Sequence, residues 1–153
     1  MTQQLETKHV FSLAIKVGAP IVAGDTGHGV RRIIPILGGE LSGEGIKGTI
    51  FSFGADFQTI RPNGFTEVEA KYAFEMDDGA VVYIENVGIR FGPKEQLDRI
   101  TRGETVDPAL IYFRSVPRFE TGSARYRWLM ENLFIGVGAR HPDRVVIDVH
   151  QVL

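Results

Sequence analysis

The residues best placed to do chemistry are Asp56 and Gln58, in the stretch Gly54-Ala55-Asp56-Phe57-Gln58-Thr59-Ile60 that ends at the turn Arg61-Pro62-Asn63-Gly64. Side chains of a strand alternate between its two faces, so Asp56, Gln58 and Ile60 lie on one side and Phe57, Thr59 and Arg61 on the other. A carboxyl group facing a dry interior has its pKa raised towards neutrality and can then move protons. The plainer reading is an aspartate bonded to its own backbone in a turn or bulge. Glu120, in Phe119-Glu120-Thr121-Gly122, offers a second acid, unless it pairs with Arg114 or Arg118.

An enzyme that moves protons also needs a group to hold the developing oxyanion. Arg31 and Arg32 occupy opposite faces of their strand, so at most one enters the interior, and Arg31 is grouped with Asp56 and Glu120 as a catalytic candidate. An inward arginine is costly without a partner, which makes it a carboxylate's ion-pair mate or a clamp for an anionic substrate. Tyr72 shares an apolar stripe with Phe74, where core packing competes with a role as a hydrogen-bonding phenol. Tyr112 with Arg114, and Tyr126 with Trp128, form two aromatic or aromatic-cationic pairs that complete the ligand-binding candidates alongside Gln58 and Tyr72.

Other chemistries find little support. The four histidines, His9, His28, His141 and His150, show no metal-ligand spacing, and there is no cysteine to act as nucleophile, thiolate ligand or disulfide partner. Gly24-Asp25-Thr26-Gly27-His28-Gly29 is glycine-rich but lacks the lysine and helix of a phosphate loop. No serine sits in a nucleophile elbow. The expectation is a site with neither metal nor organic cofactor.

The elements that must position these groups are almost all strands. From His9 to Val17, Phe11, Leu13, Ile15 and Val17 alternate with Ser12, Ala14 and Lys16, and a second strand is expected over Val30 to Leu37. Glycines at 38, 39, 43, 45 and 48 mark bends or close backbone approach before a run from Ile46 to Phe53. Val68, Ala70, Tyr72, Phe74 and Met76 alternate with Glu67, Glu69, Lys71, Ala73 and Glu75, and Asp77-Asp78-Gly79 supplies the turn of a hairpin returning through Ala80 to Phe91. A short helix is expected over Pro93 to Arg102, then strands over Leu110 to Val116, Arg125 to Arg140 and Arg144 to Leu153. Tyr126 to Asn132 can also be read as a helical turn. Eight or more short strands with corner glycines predict an all-β fold, a single antiparallel up-and-down β-barrel with one or two short helices. The whole chain, 1–153, is expected to be one barrel domain.

Charge argues against some partners. With 17 Lys and Arg against 19 Asp and Glu, the net charge of −2 provides no basic surface for nucleic acid. Neither a signal-peptide pattern nor an apolar run of transmembrane length occurs, so no membrane partner and a cytoplasmic location are expected.

Taken in order, Gly38-Gly39, Gly48, Gly54-Ala55-Asp56, Arg61 to Gly64, Asp78-Gly79-Ala80, Tyr112-Phe113-Arg114, Phe119-Glu120-Thr121-Gly122, Tyr126, Trp128-Leu129 and Asn132-Leu133-Phe134 resemble the small bacterial and fungal proteins of domain-of-unknown-function family 3237. The resemblance implies a lipocalin-like or allene-oxide-cyclase-like barrel, a homo-oligomer and no settled reaction. Phe57 stands where that family often has tryptophan. The functional expectation is a cofactor-independent acid/base enzyme, an isomerase, cyclase or lyase acting on a small aromatic or carbonyl compound. A non-catalytic small-ligand-binding barrel is the alternative.

Overall fold

Ten strands hydrogen-bond into one continuous sheet in the computed structural model, which describes residues 2–153. They are β1 (Thr7–Val17), β2 (Ile21–Asp25), β3 (Val30–Gly43), β4 (Ile46–Ile50), β5 (Ala55–Ile60), β6 (Thr66–Met76), β7 (Val81–Phe91), β8 (Tyr112–Glu120), β9 (Phe134–Arg140) and β10 (Arg144–Val152). Helix α1 (Lys94–Thr101) joins β7 to β8, and the single-turn α2 (Trp128–Glu131) precedes β9. Because β1 pairs with β10 on one side and β3 on the other, the sheet closes on itself. The ring runs β1-β3-β4-β6-β7-β8-β9-β10, an eight-strand antiparallel barrel. Two strands lie outside that count: β5 continues the course of β4 along β3 and β6, and β2 flanks the first half of β3. Closure leaves the ring itself without an unpaired edge.

Two glycines make this course possible. Gly39 sits at φ +139° opposite Ile15, where a Cβ would lie 2.0 Å from the Ala14 carbonyl oxygen. Gly54, at φ +86°, forms the bend between β4 and β5, and its Cβ would lie 2.2 Å from the Lys71 carbonyl oxygen. Only a residue without a side chain lets the backbones approach so closely. The bend matters for function, since it sets the register that turns Asp56 inward.

An eight-strand barrel is just wide enough for its side chains to fill. Here one half is filled. Phe119 packs edge-on against Phe134 at 5.3 Å, Phe11 at 5.9 Å and Phe74 at 6.3 Å between ring centroids. Tyr126 and Leu129 close that end from the segment around α2. Each such buried side chain contributes roughly 1.5–3 kcal/mol. At the other end α1 lies across the mouth with Leu97 and Ile100 turned inward, and the Arg32 guanidinium donates to the Thr101 carbonyl oxygen at 2.9 Å. A cation there complements the helix C-terminus.

Several sequence expectations change in detail. The chain after Pro20 forms β2 before the glycine loop, and β3 continues past Leu37 through Gly38-Gly39 to Gly43, because these two glycines hold φ of +129° and +139° within the strand, where its register against β1 shifts. The helical alternative holds at Trp128–Glu131, so the expected strand over Arg125 to Arg140 is confined to β9.

Candidate functional site

The half of the barrel beneath α1 is hollow. Lining its cavity of about 40 Å3 are Asp56 and Gln58 from β5, Tyr72 from β6, Asn86 and Arg90 from β7, and Arg140 from β9, among the apolar walls of β1, β3 and β10. Inward placement follows from strand parity. In β6, Val68 and Tyr72 share the face of buried Phe74 and Met76. In β7, Asn86 and Arg90 continue the inward series of Val82 and Ile84, and in β9 Arg140 follows Phe134, Gly136 and Gly138.

The polar groups are only partly satisfied. Asp56 accepts a 2.9 Å hydrogen bond from the Gln58 amide at one oxygen and a 3.1 Å bond from the Glu69 backbone N–H at the other. Gln58 Oε1, Tyr72 OH, Asn86 Oδ1 and Arg90 Nε have no partner among the described residues. A buried polar atom left alone costs on the order of 1–3 kcal/mol, so four around one cavity form a standing demand for a ligand or water. Burial pushes the Asp56 carboxyl up from the ordinary carboxylate range, and the Gln58 amide and the Arg90 charge offset that only in part. Burial and the Asp56 charge both raise the Tyr72 phenol above its usual value, which keeps it a proton donor. Arg90, 3% exposed, is pushed down to about 10 by burial, against the opposing pull of Asp56.

The three arginines of this end have different duties. Arg32 is engaged at the end of α1, and Arg140 donates to the carbonyl oxygens of His141 and Arg144 in the β9–β10 turn. Arg90 stands with its guanidinium 5.7 Å from the centroid of the Phe113 ring. None of the ion pairs among the described residues includes Arg90 or Asp56. A buried charge without a partner is expensive, and even a buried ion pair can be replaced by well-packed apolar groups at no cost or with a gain of about 1–4 kcal/mol. Arg90→Met is therefore expected to raise the urea midpoint of the ligand-free protein, a shift that equilibrium unfolding by tryptophan fluorescence measures.

The structure brings together Asp56, Gln58 and Tyr72 and disperses the other sequence candidates. Arg31, the catalytic candidate, faces outward and Arg32 inward, because Arg32 shares the parity of buried Ile34 and Ile36. Glu120 is exposed opposite Tyr83, on the outer face of β8 with Tyr112 and Arg114. The Arg114 guanidinium does stack on Tyr112, 5.1 Å from the ring centroid, but against solvent. Tyr126 and Trp128 belong to the filled end of the barrel, Trp128 packing on Phe134 at 5.9 Å. Sequence reasoning missed Asn86, Arg90 and Arg140. The signal was available for the first two, since the hairpin parity that places Val82 and Ile84 inside extends to them.

Among the described residues, no group of three or more His, Cys, Asp or Glu side chains could hold a metal ion, and no helix is long and apolar enough to cross a membrane.

Comparison with known proteins agrees with this architecture. A protein of unknown function from Rhodopseudomonas palustris is 67% identical over the full length of both chains, and its crystal structure superposes with a TM-score of 0.95 over all of both chains. A structure described as a beta-barrel like protein from Acinetobacter baumannii is 32% identical, with a TM-score of 0.87 over 100% of this chain and 99% of that one. An enzyme from Penicillium herquei shares the fold at 16% identity, with a TM-score of 0.72 over 100% of this chain and 98% of that one. The model of the family described as "Protein of unknown function (DUF3237)" matches residues 5–152. The barrel, its landmarks and these relatives agree: the chain belongs to the DUF3237 family.

Proposed function

We propose that the hollow half of the barrel is the active site of a cofactor-independent acid/base enzyme, an isomerase, cyclase or lyase acting on a small carbonyl or aromatic compound. The observation that carries this reading is Asp56, a carboxyl group with its pKa raised by burial, sharing one cavity with an unpartnered phenol and a guanidinium. Perturbed acids in concave, mostly apolar cavities are where proton-transfer chemistry is found.

The roles follow from the groups. Asp56 exchanges a proton with a carbon or oxygen of the substrate, and Gln58 holds the carboxyl by its 2.9 Å amide hydrogen bond. As charge develops on the substrate oxygen, Tyr72 donates a hydrogen bond to it and Arg90 supplies positive charge. Both are fixed in the barrel wall before substrate arrives, so little reorganisation opposes the step. The enzyme from Penicillium herquei supports the reading to the extent that a barrel of this shape can host catalysis.

The test is solvent-deuterium exchange. Incubated in D2O with a panel of small ketones, hydroxy acids and phenols, the protein is expected to exchange carbon-bound hydrogen in at least one of them, seen by proton NMR. The rate should rise with pH through the titration of Asp56, above the ordinary carboxylate range. Saturable binding without exchange or conversion of any bound compound would favour the competing reading, a barrel that only carries its ligand. The shared cavity and its unpartnered atoms are common to both.

A further inference from the structure

We infer that the ligand of this cavity is itself an anion, a small carboxylate whose carboxyl group pairs with Arg90 and whose adjacent hydroxyl or enol donates to Gln58 or Asn86. This rests on the proposed active site and adds its substrate class. Arg32, Arg90 and Arg140 lie at this end of the barrel; Asp143 reaches Arg140 from the β9–β10 turn, and Asp56 is the one carboxylate among the residues lining the cavity. Arg32 and Arg140 are hydrogen-bonded to backbone carbonyls. Arg90, buried beside Phe113 and outside every ion pair among the described residues, has an unpartnered Nε. A planar guanidinium with free N–H groups matches a carboxylate in geometry as well as in charge.

The remaining orphans specify the rest of the molecule. Gln58 Oε1 and Asn86 Oδ1 are both acceptors lacking a donor. A bare carboxylate offers no hydrogen to them, whereas a hydroxyl or enol next to the carboxyl group donates one, to one of the two. Tyr72 can donate to the second carboxylate oxygen. Size sets the last limit. A cavity of about 40 Å3 holds about three waters, so it admits a head group of a few heavy atoms. A larger body would have to extend past the half-buried rim residues Val17, Arg140 and Val145. A phosphate dianion fits less well, because one unengaged guanidinium cannot replace its hydration.

Glycolate, acetate and glycolamide separate these contributions when titrated into the intact protein by NMR. The inference expects glycolate to bind at least tenfold more tightly than glycolamide, its neutral counterpart, and more tightly than acetate, which lacks the hydroxyl. Arg90→Met should remove the preference for glycolate over glycolamide, and Arg90→Lys, which keeps the charge, should retain part of it. Equal binding of glycolate and glycolamide by the wild type, or wild-type glycolate affinity in folded Arg90→Met, would overturn the inference. If Arg90→Met does not fold, the wild-type comparison and Arg90→Lys still decide. The acid/base reading fails separately. Asp56→Asn should bind glycolate at least as tightly as wild type, whereas carboxylate binding by the wild type with no turnover of any compound would sink the enzyme and leave the anion site. Turnover of neutral compounds alone, with no carboxylate preference, would do the reverse.

Discussion

Asp56→Asn is expected to lower turnover by about 10²–10⁴-fold, the usual worth of a positioned acid or base, while the barrel stays folded. The change removes the titrating proton and little else. Asparagine keeps an oxygen for the Glu69 backbone N–H, and Gln58 can rotate its amide so that its unpartnered Oε1 accepts from the new N–H2. The stability effect has the opposite sign to the activity effect. An acid whose folded pKa is raised holds its proton in the native state after the unfolded chain has lost it. Wild-type stability therefore falls as pH rises from the ordinary value near 3.8 to the folded pKa of Asp56. Asp56→Asn should lack that decline and be at least as stable as wild type at neutral pH. Urea unfolding at pH 4 and pH 7 measures it. A variant that loses stability at pH 7 would mark Asp56 as a structural residue.

Gly39→Ala is expected to cost about 3–5 kcal/mol, enough to threaten a domain whose whole stability is on the order of 5–15 kcal/mol. Two penalties combine. The backbone at φ +139° is strained for any residue with a Cβ, and that Cβ would sit 2.0 Å from the Ala14 carbonyl oxygen. Since the obstacle is backbone, no rotamer relieves it. Relief requires β1 and β3 to move apart along the line where the barrel closes. A shift in urea midpoint of more than about 1 M, at the usual dependence of stability on denaturant, would be the observed result. A shift near zero would show that the closure has slack.

The fold was legible because the signals that specify it are local and repetitive. The hairpin of β6 and β7 is written in alternating residues around Asp77-Asp78-Gly79, and its register places Tyr72 opposite Ile84. The inward face of β5 was equally readable, which brought Asp56, Gln58 and Tyr72 into one list. What failed was the assignment of parity where glycine or a turn interrupts it. Arg31 and Arg32 differ only by one position, and nothing in Val30 to Leu37 announces which faces in until the pairing with β5 is known. Tyr126 and Trp128 carry the right chemistry at the wrong end, and which end a segment occupies is a matter of topology. Arg90 escaped notice because a charged residue late in a strand reads as solvated, and only the barrel's closure and α1 keep water from it.

The seam between β1 and β10 carries a kinetic consequence. It joins positions far apart along the chain; the Ser12 hydroxyl, for instance, bonds to Asp148 across 136 residues. Bringing such distant segments together carries a large entropic cost before any contact repays it, so this seam is expected to form late in a slow folding reaction. The cavity has no complete wall until then, because Ile15 comes from one side of the seam and Ile147 from the other. Partly folded chains cannot bind the ligand, and binding acts on the closed barrel alone. A ligand present at a hundred times its Kd would thus add about 2.7 kcal/mol to the whole fold rather than to one region of it. Occupancy of the site and persistence of the barrel are the same equilibrium seen from two sides.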